Sequence, residues 1–210
     1  QELHVAIEEL QLSIGQPIYV GIDFGLTPAA VFAQRLSTGR WHILNELVCF
    51  DMGVMRFSEL LRKEIATHYK HYEVMIYGDP AGDFRSQTDE RTPFQIMRTY
   101  GLKAIPAPSN DVALRIEAVD AALQRLLDGK AGFLMDTKCI NLKIGFNGGY
   151  HYRRLQTSGD RYDEKPLKNR YSHVHDALQY LMMGAGEEWD VFAGQKKKTR
   201  KVWDLFKRNG

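Results

Sequence analysis

The sequence is poor in cysteine and has no long apolar run, and each shortage excludes a class of protein. Its 210 residues include two cysteines, Cys49 and Cys139, too few for the disulfide framework of a small secreted domain. No apolar run approaches the roughly 20 residues that a transmembrane helix needs, so we expect no membrane span. Residues 1–15 lack the basic cluster and apolar stretch of a signal peptide.

The composition is that of an ordinary globular domain with a basic end. Hydrophobic residues make up 44% and charged residues 26% of the chain, which is enough apolar material for a core. The formal net charge of +2 hides an asymmetry, because residues 196–210 carry seven basic side chains and one acid. That end has either its own binding partner or a solvating role. We expect one domain over residues 17–187 and a flexible basic tail over residues 188–210.

The pattern of apolar residues predicts an α/β domain. Residues 18–24, 29–36 and 41–50 are rich in apolar and β-branched side chains, and short loops join them, which predicts an antiparallel meander. Further strands are predicted at 73–77, 102–105 and 132–135, and helices at 54–69, 93–100, 112–127 and 173–184. This order predicts a mixed sheet flanked by helices on both faces, with an extra β-hairpin at residues 150–163.

Three aspartates lie at the edges of these apolar elements. Asp23 interrupts the first strand, Asp79 directly follows the fourth, and Asp176 lies in the first turn of the last helix. A lone charge is rarely buried without a partner. If the first and fourth strands are parallel neighbours, Asp23 and Asp79 emerge at the same edge. The last helix can then bring Asp176 beside them.

Carboxylates packed together in this way predict a site for divalent cations. Their mutual repulsion is strong at low dielectric, and Mg²⁺ or Mn²⁺ relieves it with oxygen ligands. Two such ions about 3.5–4 Å apart suit phosphodiester hydrolysis, one activating water and the other stabilising the departing 3′ oxygen. Each aspartate also has a structural explanation, Asp79 as a turn residue and Asp176 as a charge at a helix N-terminus. The prediction therefore depends on the three together.

Other titratable residues lie near these positions. We expect Glu46, in the third strand, and Asp83, shortly after Asp79, as acids that support the site. His173 and His175 flank the start of the last helix and would shuttle a proton or bind phosphate there. The alternative for both histidines is a structural role. They lack cysteine partners at zinc spacing, which argues against a zinc site.

Basic residues interleaved with tyrosines precede Asp176. Such a surface gives affinity for phosphates without reading base identity, so it predicts salt-sensitive, largely nonspecific DNA binding. The alternative is a solvated hairpin. The predicted DNA-binding residues are Arg153, Arg154, Arg161, Lys165, Lys168 and Arg170.

Three blocks of the sequence resemble the C-terminal nuclease domain of the terminase large subunit of tailed, headful-packaging bacteriophages. They are VGIDFG at residues 20–25, YGDPAG at 77–82 and YSHVHDALQY at 171–180. The resemblance implies a ribonuclease-H-like fold and a Mg²⁺- or Mn²⁺-dependent endonuclease that cuts concatemeric viral DNA during genome packaging. It implies that Asp23, Asp79 and Asp176 are the catalytic triad and that the hairpin at 150–163 lies near double-stranded DNA.

The resemblance also implies partners. Residues 1–16 would end a linker from a packaging ATPase domain, whose Gly-x-x-x-x-Gly-Lys-Ser/Thr phosphate loop this sequence lacks. The portal protein and the small terminase subunit are the other expected partners, and the basic tail is a segment that would engage the portal. The expected location is the viral procapsid in the host cell cytoplasm, with no membrane involved.

Three alternatives stay open on sequence alone. Residues 21–27 are similar to the phosphate loop of actin-like ATPases and sugar kinases, although the second loop and second lobe of those enzymes are not found. A resolvase or integrase of the ribonuclease-H-like superfamily would share the acids but prefer junctions or strand transfer. A non-enzymatic docking module would use the acids only structurally. ATP binding, substrate preference and metal-dependent nicking separate these alternatives.

Overall fold

A six-stranded mixed sheet forms the centre of the domain in the computed structural model, which describes residues 3–83, 91–154 and 162–186. Its first three strands, β1 (Ile18–Asp23), β2 (Ala29–Arg35) and β3 (Trp41–Val48), pair as antiparallel neighbours. β1 and β2 are buried along nearly their whole length, because helices cover both faces of the sheet. The predicted meander is confirmed.

Three parallel strands extend the meander on its two sides. β4 (Val74–Gly78) pairs with β1, β5 (Ala104–Pro106) pairs with β4, and β8 (Phe133–Met135) pairs with β3. The sheet order is therefore β5-β4-β1-β2-β3-β8. The first and fourth strands are parallel neighbours, which is the condition under which Asp23 and Asp79 share an edge, and Ile22 lies opposite Gly78.

Two pairs of helices cover the sheet. On one face, α1 (Val54–His68) and α2 (Pro93–Thr99) pack Phe57, Leu61 and Phe94 into a core with Phe32. The other face carries α3 (Val112–Gln124) and α5 (Ser172–Gly184). α5 lies very close to β1: a Cβ at Gly21 would stand 1.9 Å from the Ala177 carbonyl oxygen. Only glycine allows this approach, which fixes α5 over the middle of the sheet.

The chain differs from the predicted elements after α3. That helix ends at Gln124 rather than at residue 127, and β6 (Leu126–Leu127) pairs antiparallel with β7 (Lys130–Ala131). The Asp128-Gly129 pair, which directly follows the predicted helix, forms a two-residue turn with φ of 52° and 73°. Asp-Gly suits such a hairpin turn because both residues tolerate positive φ.

Several short elements lie between β8 and α5 along the chain. The short helix α4 (Ile140–Ile144) and the kinked turn at Gly145–Gly149 were not predicted, since five residues carry too little periodicity. The predicted hairpin is present as β9 (Tyr152–Arg154) and β10 (Tyr162–Pro166), with its second strand extending beyond residue 163. The predicted hairpin turn lies outside the described residues.

The residues that precede β1 are bonded to the sheet and to the turn after β8. Val5 bridges to Met135, the Leu10 amide donates to the Asp136 carboxylate at 2.7 Å, and the Ser13 amide donates to the Gln34 side chain at 2.8 Å. The expected linker is thus bonded to the sheet domain over these residues. None of the described helices combines the length and apolar character of a membrane span. The predicted basic tail at residues 188–210 lies outside the described residues.

Candidate active site

The three aspartates meet at the edge of the sheet where β1 and β4 end. Asp23 is the last residue of β1 and is 4% exposed, and Asp79 follows β4, its amide donating to the Ile22 carbonyl oxygen at 3.1 Å. The Asp79 carboxylate accepts from the Ala81 amide at 2.8 Å, as a turn residue does. A short 3₁₀ helix (Pro80–Asp83) then leads the chain away from the sheet.

Asp176 reaches the same edge from α5. It was predicted in the first turn of its helix, but α5 begins at Ser172 and has no acid in its first turn. Asp176 is 2% exposed and faces the protein interior. A favourable position at the helix N-terminus therefore does not account for this buried carboxylate, because the helix dipole acts mainly within the first turn.

Tyr180 lies within electrostatic range of all three carboxylates. Burial raises the pKa of the Tyr180 hydroxyl, the Arg115 guanidinium lowers it, and the negative charges of Asp79, Asp23 and Asp176 each raise it further. Tyr180 lies one turn after Asp176 on α5, so its ring adjoins the same edge of the sheet. The structure thus brings together three acids that are far apart in sequence.

The surroundings of Asp23 disfavour its charged form. Its pKa is raised, chiefly by burial and further by the negative charge of Asp176. A hydrogen bond with His173, from Nδ1 to Oδ2 at 2.8 Å, and the charge of Lys168 lower the pKa and oppose that rise. His173 therefore lies directly against one of the three acids.

Asp176 has a cationic partner on each of its two oxygens. The Lys168 ammonium donates to Oδ2, and the Arg115 guanidinium lies 3.4 Å from Oδ1. Arg115 was not among the predicted site residues, because apolar spacing along this helix selects Val112, Ile116, Val119, Leu123 and Leu126 as its buried stripe. The buried residues of α3 are instead Arg115, Ala118, Val119 and Ala122.

The buried face of α3 differs from the one that its large apolar residues predict, because small alanines let α3 and α5 approach closely. Ala118 and Ala122 follow Arg115 at helical spacing, so the sequence does indicate this second face. The size of an apolar side chain therefore does not decide which face of this helix is buried. Leu126 is in fact 63% exposed in β6.

The carboxylate oxygens of the site suit a hard divalent cation, but the three side chains do not lie close enough together to hold one. Three carboxylates supply the oxygen ligands that Mg²⁺ and Mn²⁺ prefer. Yet no group of three or more His, Cys, Asp or Glu side chains is close enough to hold a metal as placed, within the part of the chain that the structure describes. As described, the carboxylate of Asp176 contacts Arg115 and Lys168, and that of Asp23 contacts His173.

The other predicted supporting residues lie in different settings. The Glu46 carboxylate accepts from the backbone amides of Asn141 at 2.6 Å and Leu142 at 2.9 Å, so it caps the N-terminus of α4. Asp83 is exposed at the end of the 3₁₀ helix. The hydrogen bonds of Glu46 thus serve α4, and among the four supporting residues it is His173 that contacts an aspartate of the triad.

His175 is buried beneath the site. Its Nε2 donates to the Leu142 carbonyl oxygen at 3.2 Å, and its ring stacks on Tyr150 with centroids 4.7 Å apart. Burial lowers its pKa to about 4, so the ring is neutral at pH 7. These contacts give His175 a structural role.

The predicted DNA-binding residues fall into two groups, one just before α5 and one on the hairpin. Lys168 contacts Asp176, and the Arg170 guanidinium lies over Tyr171 at 5.2 Å from the ring centroid. On the hairpin, Arg153 pairs with Asp163 at 3.2 Å, while Lys165 and Arg154 are exposed. Arg161 lies outside the described residues. The described basic residues therefore lie partly on the exposed hairpin and partly, through Lys168, against a buried acid.

Solved structures of phage large terminases share this fold, whereas no protein-family model and no curated protein matches the sequence. The large terminase of a thermophilic bacteriophage is 23% identical with a TM-score of 0.65, over 87% of this chain and 42% of that one. The P22 large terminase nuclease domain is 14% identical with a TM-score of 0.62, over 87% of each chain.

A third similar structure is the large terminase nuclease domain of bacteriophage SPP1 with bound Mn. It is 16% identical with a TM-score of 0.51, and the match covers 85% of this chain and 94% of that one. The present chain spans less than half the length of the thermophilic phage terminase. The predicted ribonuclease-H-like fold is confirmed: this chain has the fold of the phage large terminase nuclease domain.

Proposed function

We propose that this domain is a metal-dependent nuclease that cuts concatemeric viral DNA during genome packaging. The observation that carries the proposal is that Asp23 and Asp79 end neighbouring parallel strands and that α5, which carries Asp176, contacts Asp23 through His173, in a domain with the terminase nuclease fold. The bound Mn of the similar SPP1 domain supports the use of a divalent cation. The burial of the Asp23 and Asp176 carboxylates in one region adds further support, because ionisable groups are buried more often at functional sites.

Asp23, Asp79 and Asp176 are the residues that would hold the cation, which we propose to be Mg²⁺ or Mn²⁺ in a pair. When bound, such ions supply an activated water and stabilise the oxygen that leaves from the phosphodiester. The raised pKa of Asp23 reflects a cost of placing negative charge there, and a cation would offset that cost.

The side chains around the acids would orient the carboxylates and the DNA. His173 fixes Asp23 through the hydrogen bond to Oδ2. Lys168 extends from solvent to the buried Asp176, its own side chain being 68% exposed, so its ammonium is placed to meet a phosphate arriving at this edge. Burial of Asp23 and Asp176 keeps water away from the carboxylates and strengthens each of these interactions.

The exposed basic residues would hold the duplex. Arg153, Arg154, Lys165 and Arg170 offer charge to the phosphate backbone at the surface beside the acids. Contacts of this kind give affinity that falls with salt and little sequence preference. Endonucleolytic cutting of double-stranded DNA is the activity that such a surface fits.

The wider setting is proposed from the resemblance and the shared fold. An upstream packaging ATPase domain, the portal protein and the small terminase subunit would be the protein partners, at the procapsid in the host cytoplasm. The thermophilic phage terminase, of which this chain matches 42%, is long enough to contain a further domain. Co-purification of a longer protein with portal and small subunit would test these partners.

Nicking of supercoiled plasmid in the presence of Mn²⁺ or Mg²⁺ tests the function. Asp176→Asn should lower the nicking rate by at least about 100-fold, since it removes a charged ligand of the cation. Asp120→Asn is a matched control on the exposed face of α3 and should cut at the wild-type rate. Wild-type activity in Asp176→Asn would contradict the proposal. Preference for four-way junctions over linear duplex would redirect it to a resolvase.

A further inference from the structure

Arg115 is a buried cation in the first turn of α3. Its side chain is 5% exposed, and one guanidinium nitrogen lies 3.4 Å from Oδ1 of Asp176. The centre of the guanidinium lies 4.6 Å from the centroid of the Tyr180 ring. The Tyr180 hydroxyl in turn donates to the Asn110 side chain at 2.7 Å. The guanidinium is therefore held between a carboxylate and an aromatic face that is itself fixed.

This arrangement is costly for the fold. Arg115 Nε is buried with no hydrogen-bond partner among the residues that the structure describes. Burying a charge and leaving an N–H unsatisfied both destabilise a folded protein, and a well-packed apolar side chain would avoid both costs. Packing of α3 against α5 alone does not call for an arginine here, so its charge serves Asp176.

The two oxygens of Asp176 face different surroundings. Oδ1 faces Arg115, which is enclosed between α3 and α5. Oδ2 faces Lys168, whose side chain is 68% exposed and leads out to solvent. A rigid partner thus anchors one oxygen, and the other oxygen points toward the accessible side of the site.

We propose that Arg115 is a positioning residue that fixes Asp176 so that Oδ2 is the oxygen presented to the catalytic cation. This inference rests on the proposed nuclease function. The planar guanidinium stays charged throughout the pH range of the protein and presents its donors in a fixed fork, so it restrains the rotation of the carboxylate. Its positive charge also offsets the repulsion between Asp176 and Asp23.

A direct contact between Arg115 and DNA does not fit the geometry. A side chain that is 5% exposed offers almost no surface to a phosphate, whereas Lys168 offers most of its length. Arg115 therefore acts through Asp176 rather than on the substrate. Loss of Arg115 should lower the maximal cutting rate and the affinity for Mn²⁺, with little effect on DNA affinity.

The test compares Arg115→Met, Arg115→Lys and the control Arg62→Met, which lies on the exposed side of α1. Mn²⁺ binding is measured by electron paramagnetic resonance, cutting by plasmid nicking at saturating Mn²⁺, and folding by thermal unfolding. Losing a residue that orients a metal ligand typically costs about 10–100-fold in metal affinity or rate. We expect a loss in this range for Arg115→Met, about tenfold for Arg115→Lys, and none for Arg62→Met.

The outcomes separate positioning from packing. A purely structural role would shift only the thermal midpoint, and Mn²⁺ affinity and rate within about twofold of wild type in both Arg115 variants would overturn the proposal. If Arg115→Met does not fold, Arg115→Lys decides by the same criterion. In an Asp176→Asn background, Arg115→Lys should cause no further loss of Mn²⁺ affinity. If the wild type binds Mn²⁺ but cuts no DNA, the nuclease function fails, and Mn²⁺ affinity still tests Arg115.

Discussion

The aspartate site and the β9–β10 hairpin are built in opposite ways. Asp23 and Asp176 are almost fully buried, and each is held by partners from other elements of the fold. The hairpin strands are exposed, and Arg153 pairs with Asp163 across them with both side chains in water. Bond cleavage requires groups of fixed orientation, whereas attraction of a duplex requires accessible charge. The comparison predicts that changes in the two regions affect different measured quantities.

The largest expected effect separates catalysis from binding. Asp23→Asn should lower the nicking rate by at least about 100-fold, because it removes a charged metal ligand. DNA affinity, measured by fluorescence anisotropy without divalent metal, should stay within about twofold of wild type, since the hairpin is untouched. An equal loss of DNA affinity would show that the aspartate site also contributes to DNA binding, contrary to the comparison.

The same variant should stabilise the fold at neutral pH. The raised pKa of Asp23 means that its ionised form lowers stability above that pKa, and this cost disappears as the pH falls through it. Asp23→Asn should therefore have a higher thermal midpoint than wild type at pH 7. The gain should shrink as the pH approaches the usual value of 3.8 for an aspartate. A lower midpoint at pH 7 would contradict the interpretation of burial as the dominant cause.

Gly21→Val tests how closely α5 must approach the sheet. A Cβ at this position would stand 1.9 Å from the Ala177 carbonyl oxygen, so α5 has to move away from β1. We expect a loss of about 3 kcal/mol or more in the free energy of unfolding, together with a loss of cutting as Asp176 is displaced. Gly53→Ala is the control, because a Cβ there meets nothing within 4 Å and φ is −75°. Chemical denaturation measures both variants.

The pH dependence of stability distinguishes the core beneath the site from the hairpin. His175 is buried with its pKa lowered from 6.5 to about 4, so the neutral ring contributes stability that is present above pH 6.5 and lost as the pH falls toward 4. The loss should be on the order of 3 kcal/mol. His175→Gln should flatten this slope, whereas His151→Gln, at the exposed base of the hairpin, should leave it in place. Equal slopes in wild type and His175→Gln would contradict the assignment.

The smallest effects belong to the hairpin charges. Lys165→Gln should reduce the slope of the logarithm of DNA affinity against the logarithm of salt concentration by about one, and leave stability unchanged within about 0.5 kcal/mol. Arg153→Gln should behave similarly, because an exposed ion pair such as Arg153–Asp163 contributes less than about 1 kcal/mol. Maximal cutting rates at saturating DNA should match wild type. A large fall in maximal rate would place these residues in the site itself.

The parts of the molecule that follow local rules were predictable from the sequence. The apolar, β-branched composition of β1 to β3 and their short loops predicted the meander, and the abrupt end of β4 at Gly78-Asp79-Pro80 predicted an edge position for Asp79. The parallel pairing of β1 and β4 was a condition of the predicted site, and the structure meets it. These features depend on neighbours along the chain and on simple topology.

The features that were missed depend on contacts between distant segments. Arg115 lies in α3, and its partner on α5 becomes visible only when the two helices pack. Glu46 was expected beside the acids but caps α4, a helix too short to be predicted. The Asp128-Gly129 pair suits both a helix end and a hairpin turn, and the pairing of Leu126 with Ala131 decides between them. Local sequence alone does not carry this information.

Anomalous scattering from crystals of the domain soaked in Mn²⁺ would show whether Asp23, Asp79 and Asp176 hold a divalent cation together. We expect a manganese peak within coordination distance of all three carboxylates, with Oδ2 of Asp176 as the ligating oxygen. A peak held by other residues, or none at these three aspartates at saturating Mn²⁺, would contradict this expectation.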